Sequence, residues 1–201
     1  MKTVTGLFDD YTDASAAVSA LEARGIPSSD ISIVSNNAGD YHKKGDSNAA
    51  EGAGTGAGIG AVVGGAGGLL TGLGIMAIPG VGPVVAAGWL AATALGAVTG
   101  AVAGGAAGGL IGALTDSGVP EEHAHVYAEG VRRGGTLVTA KVDDSLQLEA
   151  EAILQRSNWV DPVERRRAYS EQGWTRFDPA AQPYGSAEIE QERGRYQRRT
   201  L

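Results

Sequence analysis

Residues 52–115 read GAGTGAGIGAVVGGAGGLLTGLGIMAIPGVGPVVAAGWLAATALGAVTGAVAGGAAGGLIGALT, and no charged residue interrupts them. Glycine recurs there every fourth position. Gly52, Gly56, Gly60, Gly64, Gly68 and Gly72 form one series; Gly88, Gly96, Gly100, Gly104, Gly108 and Gly112 form a second, with Ala92 in its gap. A four-residue period keeps each series near one face of an α-helix. Lacking Cβ atoms, such a face lets a second helix approach closely, so these twelve glycines are the candidate residues for helix packing and self-association. The breakers Ile78-Pro79-Gly80-Val81-Gly82-Pro83 divide the series, and the expected form is a helical hairpin with arms over 59–78 and 83–115. Trp89 would then sit near the tip, where an interfacial aromatic fits.

The arms are long enough for a bilayer, since about 20 helical residues cover about 30 Å of hydrocarbon. Their composition pulls the other way. Residues 59–78 hold seven glycines against eight Ile, Leu and Val. Each glycine weakens a lone helix by about 1 kcal/mol relative to alanine, whereas each apolar residue returns only about 0.3–0.6 kcal/mol on insertion. An isolated arm is therefore a poor helix that becomes sensible once its glycine face is covered. Membrane association and burial inside a soluble assembly both meet that need. A flexible linker fits less well, because linkers favour Ser and polar residues over Val, Leu and Ile.

The rest of the composition narrows the classes. Cysteine is absent, which excludes disulfides and thiolate chemistry. The opening Met1-Lys2-Thr3 leads into a short apolar stretch that meets Asp9 and Asp10, so a cytoplasmic start is expected. Of the net charge of −7, the residues from Val163 onward contribute eight Arg and six acids, or +2, leaving −9 for the body. An acidic body argues against general nucleic-acid binding.

Around the hairpin the patterning predicts alternating elements. Thr3 to Phe8 and Ile31 to Ser35 read as strands, separated by a helix from Asp13 to Arg24 with Ala14, Ala17, Val18 and Leu21 inward. Pro120-Glu121-Glu122 opens a helix whose stripe is Ala124, Tyr127, Ala128 and Val131. Thr136 to Val142 alternates as a strand. Ser145 is placed to cap a helix with Leu146, Ala150, Ile153 and Leu154 inward, and Trp159-Val160 reads as a short last strand. With the insertion and its adjoining helix removed, the order is βαβ–βαβ. The expected fold is therefore α+β: a ferredoxin-like sandwich interrupted by a glycine-rich helical hairpin, followed by a flexible tail. Its boundaries are 1–35 for the first half, 36–51 for a polar linker, 52–117 for the hairpin, 118–162 for the connecting helix and second half, and 163–201 for the tail. Two helices would cover one sheet face and leave the other open to a partner.

In this order of parts the chain resembles the bacterial heat-induced general stress proteins with a YflT-type domain, many of which carry a glycine-zipper insertion. The matching residues are Val4-Thr5-Gly6-Leu7-Phe8-Asp9, Ala16-Ala17-Val18-Ser19-Ala20-Leu21 with Gly25, and Asp30-Ile31-Ser32-Ile33-Val34. They continue with Ile78-Pro79-Gly80-Val81-Gly82-Pro83, Gly118-Val119-Pro120-Glu121-Glu122 and Tyr127-Ala128-Glu129-Gly130-Val131-Arg132-Arg133-Gly134-Gly135. The resemblance spans residues 1–159. It implies a stress-linked, non-enzymatic protein associated with a membrane, and it supplies no catalytic residues.

Motifs for chemistry are sparse. Neither G-x-G-x-x-G nor G-x-x-x-x-G-K-[S/T] occurs, and the nearest variant, Gly72-Leu-Gly74-Ile-Met-Ala77, follows no strand. His123 and His125 stand two apart, so on a helix they diverge rather than face one ion, and a further ligand would have to come from afar, such as His42. Asp9-Asp10 and Asp143-Asp144 fall where a strand gives way to a helix, positions that want Asp for turns and caps. No enzyme and no cofactor is expected.

In the tail, Arg165-Arg166-Arg167 reads as a solvated basic run that would meet anionic headgroups if the hairpin enters a membrane. Trp174, Phe177 and Tyr184 lie among prolines in a stretch unable to fold alone, and they are the candidate docking residues for a protein partner. A short helix is expected over 186–199, with Ser186 at its start and arginines at its end. The expected function is self-association through the glycine hairpin at the cytoplasmic membrane, both termini cytoplasmic; the alternative is a soluble cytoplasmic oligomer with the hairpin buried between subunits.

Overall fold

The structure is a computed structural model that describes residues 1–38, 74–91, 93 and 109–197. It is α+β. The strands are β1 (Lys2–Phe8), β2 (Ile31–Asn36), β3 (Gly74–Ile78), β4 (Gly82–Ala87) and β5 (Thr136–Val142). The helices are α1 (Tyr11–Ala23), α2 (Gly109–Asp116), α3 (Glu121–Arg132), α4 (Gln147–Arg156), α5 (Pro162–Ser170) and α6 (Ser186–Gln197). All pairings in the five-stranded sheet are antiparallel, in the order β1-β5-β2-β4-β3.

One face carries α1 and α4. Ala14, Ala17, Val18 and Leu21 of α1 pack with Val4, Phe8, Ile31, Ile33, Val138 and Ala140 of the sheet, together with Ala150, Ile153 and Leu154 of α4. Alternation in the strands sends the remaining residues the other way. Leu7, Val34, Val84, Ala86 and Leu137 meet Leu110 and Leu114 of α2 and Ala124, Tyr127, Ala128 and Val131 of α3. The face expected to stay open is thus covered by this chain's own helices. The apolar stripe of α3 demands a surface to bury against, and that sheet face is the nearest one.

Three further expectations change. The helical hairpin was to run through 59–78 and 83–115, but residues 74–87 form a β-hairpin that adds two strands to the sheet. Its turn explains why: Val81 N–H donates to Ile78 O at 3.0 Å, Pro79 fills the second position, and Gly80 takes φ +75° at the third. Pro then Gly at these positions is type II turn chemistry, flanked here by Ile78, Val84 and Val85, which prefer strands. The fourfold glycine period ran across a local turn signal, and the turn prevailed. Trp159-Val160 makes a single bridge, Val160 to Leu7, in place of a strand. The helix after β5 begins at Gln147 with Leu146 at its N-cap and no side-chain cap, so Ser145 does not serve as one.

The tail is also folded. Asp161 caps α5 by accepting from the N–H groups of Val163 and Glu164 at 2.7 and 3.1 Å, with Pro162 in the first turn. The helix expected over 186–199 runs from Ser186 to Gln197, and residues 198–201 lie outside the described set. Among the described residues no helix is long and apolar enough to cross a membrane.

Candidate assembly site at the roots of the glycine-rich segments

Ten of the twelve candidate packing glycines, namely Gly52, Gly56, Gly60, Gly64, Gly68, Gly72, Gly96, Gly100, Gly104 and Gly108, lie outside the described residues. The structure does show where the segments that hold them begin and end. Residues 39–73 leave after β2 and return at β3; residues 94–108 leave after β4 and return at α2.

Side chains of β2 secure these roots. Asn36 Nδ2 donates to the carbonyls of Val131 and Arg132 at 3.0 and 3.2 Å, while its Oδ1 accepts from Ala38 N at 2.8 Å. That ties the first exit point to the end of α3. Ser32 Oγ donates to Ala87 O at 2.6 Å and accepts from Leu90 N at 3.2 Å, which fixes the second exit. Both are short polar side chains satisfying buried backbone groups where a regular element stops.

Gly88 corrects its assignment. It is not on a helix face: its φ is +88°, and a Cβ added there would collide with the Ile31 carbonyl oxygen. The backbone of β4 passes against β2 too closely for any side chain. Gly112 is helical in α2, but a Cβ there would meet no described atom within 4 Å. Trp89 is likewise stitched to the body and not at a distal tip. Its Nε1 donates to Asp30 O at 3.1 Å, and Lys141 Nζ lies 4.0 Å from the ring centre.

The candidate docking residues Trp174, Phe177 and Tyr184 all fold onto this chain. Phe177 is 4% exposed and belongs to the core beneath α3. Trp174 packs edge-on to Tyr169, with ring centres 5.6 Å apart. Tyr184 faces Arg132, whose guanidinium carbon is 4.9 Å from the ring centre. Around them the tail runs over the β3–β4 turn, and a Cβ on Gly80 would reach Pro179 Cα at 2.7 Å. Ser186 Oγ donates to Ala38 O at 3.0 Å, directly at the first exit.

An ion network missed in the sequence locks this strap down. Glu129 is fully buried in α3. It accepts from Arg133 Nε at 2.7 Å and from Arg132 Nη1 at 3.1 Å. Arg133 Nη1 continues to Glu192 of α6 at 2.8 Å and to Gln172 at 2.7 Å. Burial pulls the Arg133 pKa down, but hydrogen bonds to Glu129 and Glu192 outweigh it and hold the group charged. Arg165, also buried, donates both terminal nitrogens to Asp9 at 2.7 Å and stacks 3.7 Å from the Tyr196 ring centre. Burial pushes the phenols of Tyr127 and Tyr169 well above their ordinary range, and that of Tyr196 up to about 12. The i,i+4 pair Glu129–Arg133 was visible in the sequence; its burial was not, because the tail that covers it was read as unfolded.

Four of the residues weighed for chemistry have contacts within the fold. Asp9 is the partner of Arg165, and Asp144 meets the N-terminal ammonium at 3.4 Å. His125 Nε2 lies 3.6 Å from Glu121, and His123 packs edge-on to Tyr127. Among the described residues no three His, Cys, Asp or Glu side chains gather in a metal-sized group. No known family, curated protein or solved structure matches the chain.

Proposed function

We propose that this chain is a non-catalytic self-association module, in which a ferredoxin-like frame presents two glycine-rich segments for packing against other copies. The frame reading draws on the strand order: with Val160 on the free edge of β1, the neighbours run Val160, β1, β5, β2, all antiparallel. The β3–β4 hairpin then extends the sheet beyond β2. The link to stress response rests on the sequence resemblance alone.

One observation supports the assembly reading: the β3–β4 hairpin joins the middle of the uncharged run to β2, so residues 39–73 are anchored to the sheet on both sides, at β2 and at β3. A segment rooted at both ends must go out and return. The uncharged part of the first, 52–73, gives about 11 helical residues each way, or about 16 Å, and 94–108 gives less; a bilayer core needs about 30 Å. A crossing would require β3 and β4 to leave the sheet. Covering the glycine faces by other copies requires no such loss.

The uncharged run itself favours a second reading, shallow seating of these segments at a membrane surface. Sedimentation of the full chain in detergent-free buffer, paired with vesicle flotation, separates the two. The expected result is a defined oligomer that stays at the bottom of the gradient. Replacing Gly64, Gly68, Gly100 and Gly104 by leucine should dissociate it. A monomer in water overturns the proposal, and flotation that survives an alkaline carbonate wash replaces it with the membrane reading.

A further inference from the structure

The outer edge of β1 is an unfinished sheet edge. Val160 N–H donates to Leu7 O at 2.7 Å, so the backbone groups of Leu7 point outward, away from β5. By strand alternation the N–H and C=O groups of Thr5 and Thr3 point the same way. No described residue pairs with them. They open into a cavity of about 310 Å³. Helix α3 walls it on one side through His123 and Tyr127, and α4 walls the other through Glu151 and Leu154. Trp159 lies at the end where Val160 enters. Thr5 Oγ1, shielded from solvent, also has no hydrogen-bond partner among the described residues.

The segment that makes this bridge does not continue along the edge. Continuing the antiparallel bridge would set Pro162 opposite Thr5, but Pro162 has no N–H and already begins α5 under the Asp161 cap. The strand therefore leaves the edge after one residue.

We propose that the Thr3–Thr5 edge of β1 binds one extended strand of another polypeptide by β-augmentation. The open groups are backbone pairs repeated every second residue, a spacing near 6.8 Å that an extended backbone matches. Helices on both flanks oppose the approach of a whole second sheet. Side chains of the occupant alternate between an apolar wall at Val119 and Tyr127 and a polar wall at Glu151 and Gln155. The matching sequence is an apolar residue followed by a basic one, repeated.

The test uses the full chain and the peptide acetyl-Val-Lys-Val-Lys-Val-amide, with an analogue N-methylated at alternate amides as control. The amides of Thr3 and Thr5 should exchange with solvent slower by about tenfold in the complex, and the N-methylated analogue should bind weaker by about tenfold. Thr5→Pro should abolish protection at Thr3 while leaving the β1–β5 ladder intact, because proline is tolerated where the N–H faces away from the sheet. Thr3→Pro, read at the Thr5 amide, provides the test should Thr5→Pro fail to fold. Unchanged exchange at Thr3 and Thr5 under millimolar peptide overturns the proposal, as does equal protection by the N-methylated analogue.

Discussion

A methyl group at residue 88 would run into the Ile31 carbonyl, on a backbone already held at φ +88°. At residue 112 the same methyl would sit on a helix and meet nothing described within 4 Å. Gly88→Ala should therefore cost about 3 kcal/mol, combining left-handed strain with displacement of β2. Gly112→Ala should stabilise by up to about 1 kcal/mol, through helix propensity. Urea unfolding of the two variants checks both signs; equal effects would mean that the two glycines share one role after all. Glu129 shows the same dependence on surroundings. Replacing it by glutamine leaves Arg133 and Arg132 short of negative charge in a buried place, and should cost about 3–5 kcal/mol. A loss under about 1 kcal/mol in the same melts would place the pair in a solvated setting.

At the scale of elements, the tail behaves as a strap whose own helix is weakly apolar. Helix α6 inserts Ile189, 7% exposed, against Gly134 and is held besides by polar contacts, Glu192 with its arginine partners and Tyr196 with Arg165. The apolar anchor of the connection between α5 and α6 is Phe177. Phe177→Ala should remove about 3–5 kcal/mol and open residues 171–185 to limited proteolysis before the sheet melts. Protease resistance equal to the parent would show that ion pairs alone hold the strap. The same elements show what the sequence could and could not convey. The inward stripe of α1 was legible because Ala14, Ala17, Val18 and Leu21 follow a helical period into one surface. Strand β5 was legible because Thr136 to Val142 carries strong strand formers. The β3–β4 hairpin was hidden by glycines that satisfy a helical period and a turn equally well. Tail folding was hidden because Phe177 and Ile189 are isolated apolar residues, and their burial depends on a surface built from distant α3 and β-turn residues. The candidate site suffered most, since its ion network joins residues up to 156 positions apart, as in Arg165 with Asp9.

For the whole molecule, two responses follow from how charge is distributed. Tyr127, Tyr169 and Tyr196 keep their protons in the fold above the pH at which an unfolded chain releases them, near 10. Between that point and the folded values the native state binds more protons, so the contribution of these three groups to stability falls as pH rises above about 10 and is constant below it. Tyr196→Phe should flatten the part of this slope that ends near pH 12, in thermal melts taken across the range. Assembly should respond differently. The segments proposed to associate lie in a run, 52–115, without a charged residue, while the chain carries a net −7. An interface built from that run has no ion pairs for salt to screen, and the only long-range term between copies is repulsion. Raising salt from roughly 0.05 to 0.5 M shortens the Debye length severalfold and weakens that repulsion. Association measured by sedimentation equilibrium should therefore hold constant or tighten with salt. The buried Arg133–Glu192 and Arg165–Asp9 pairs, little screened inside the fold, should keep the monomer intact over the same range. Dissociation by salt would move the interface away from the glycine-rich segments and onto the charged surface of the tail, where Arg167, Arg176 and Glu190 are exposed.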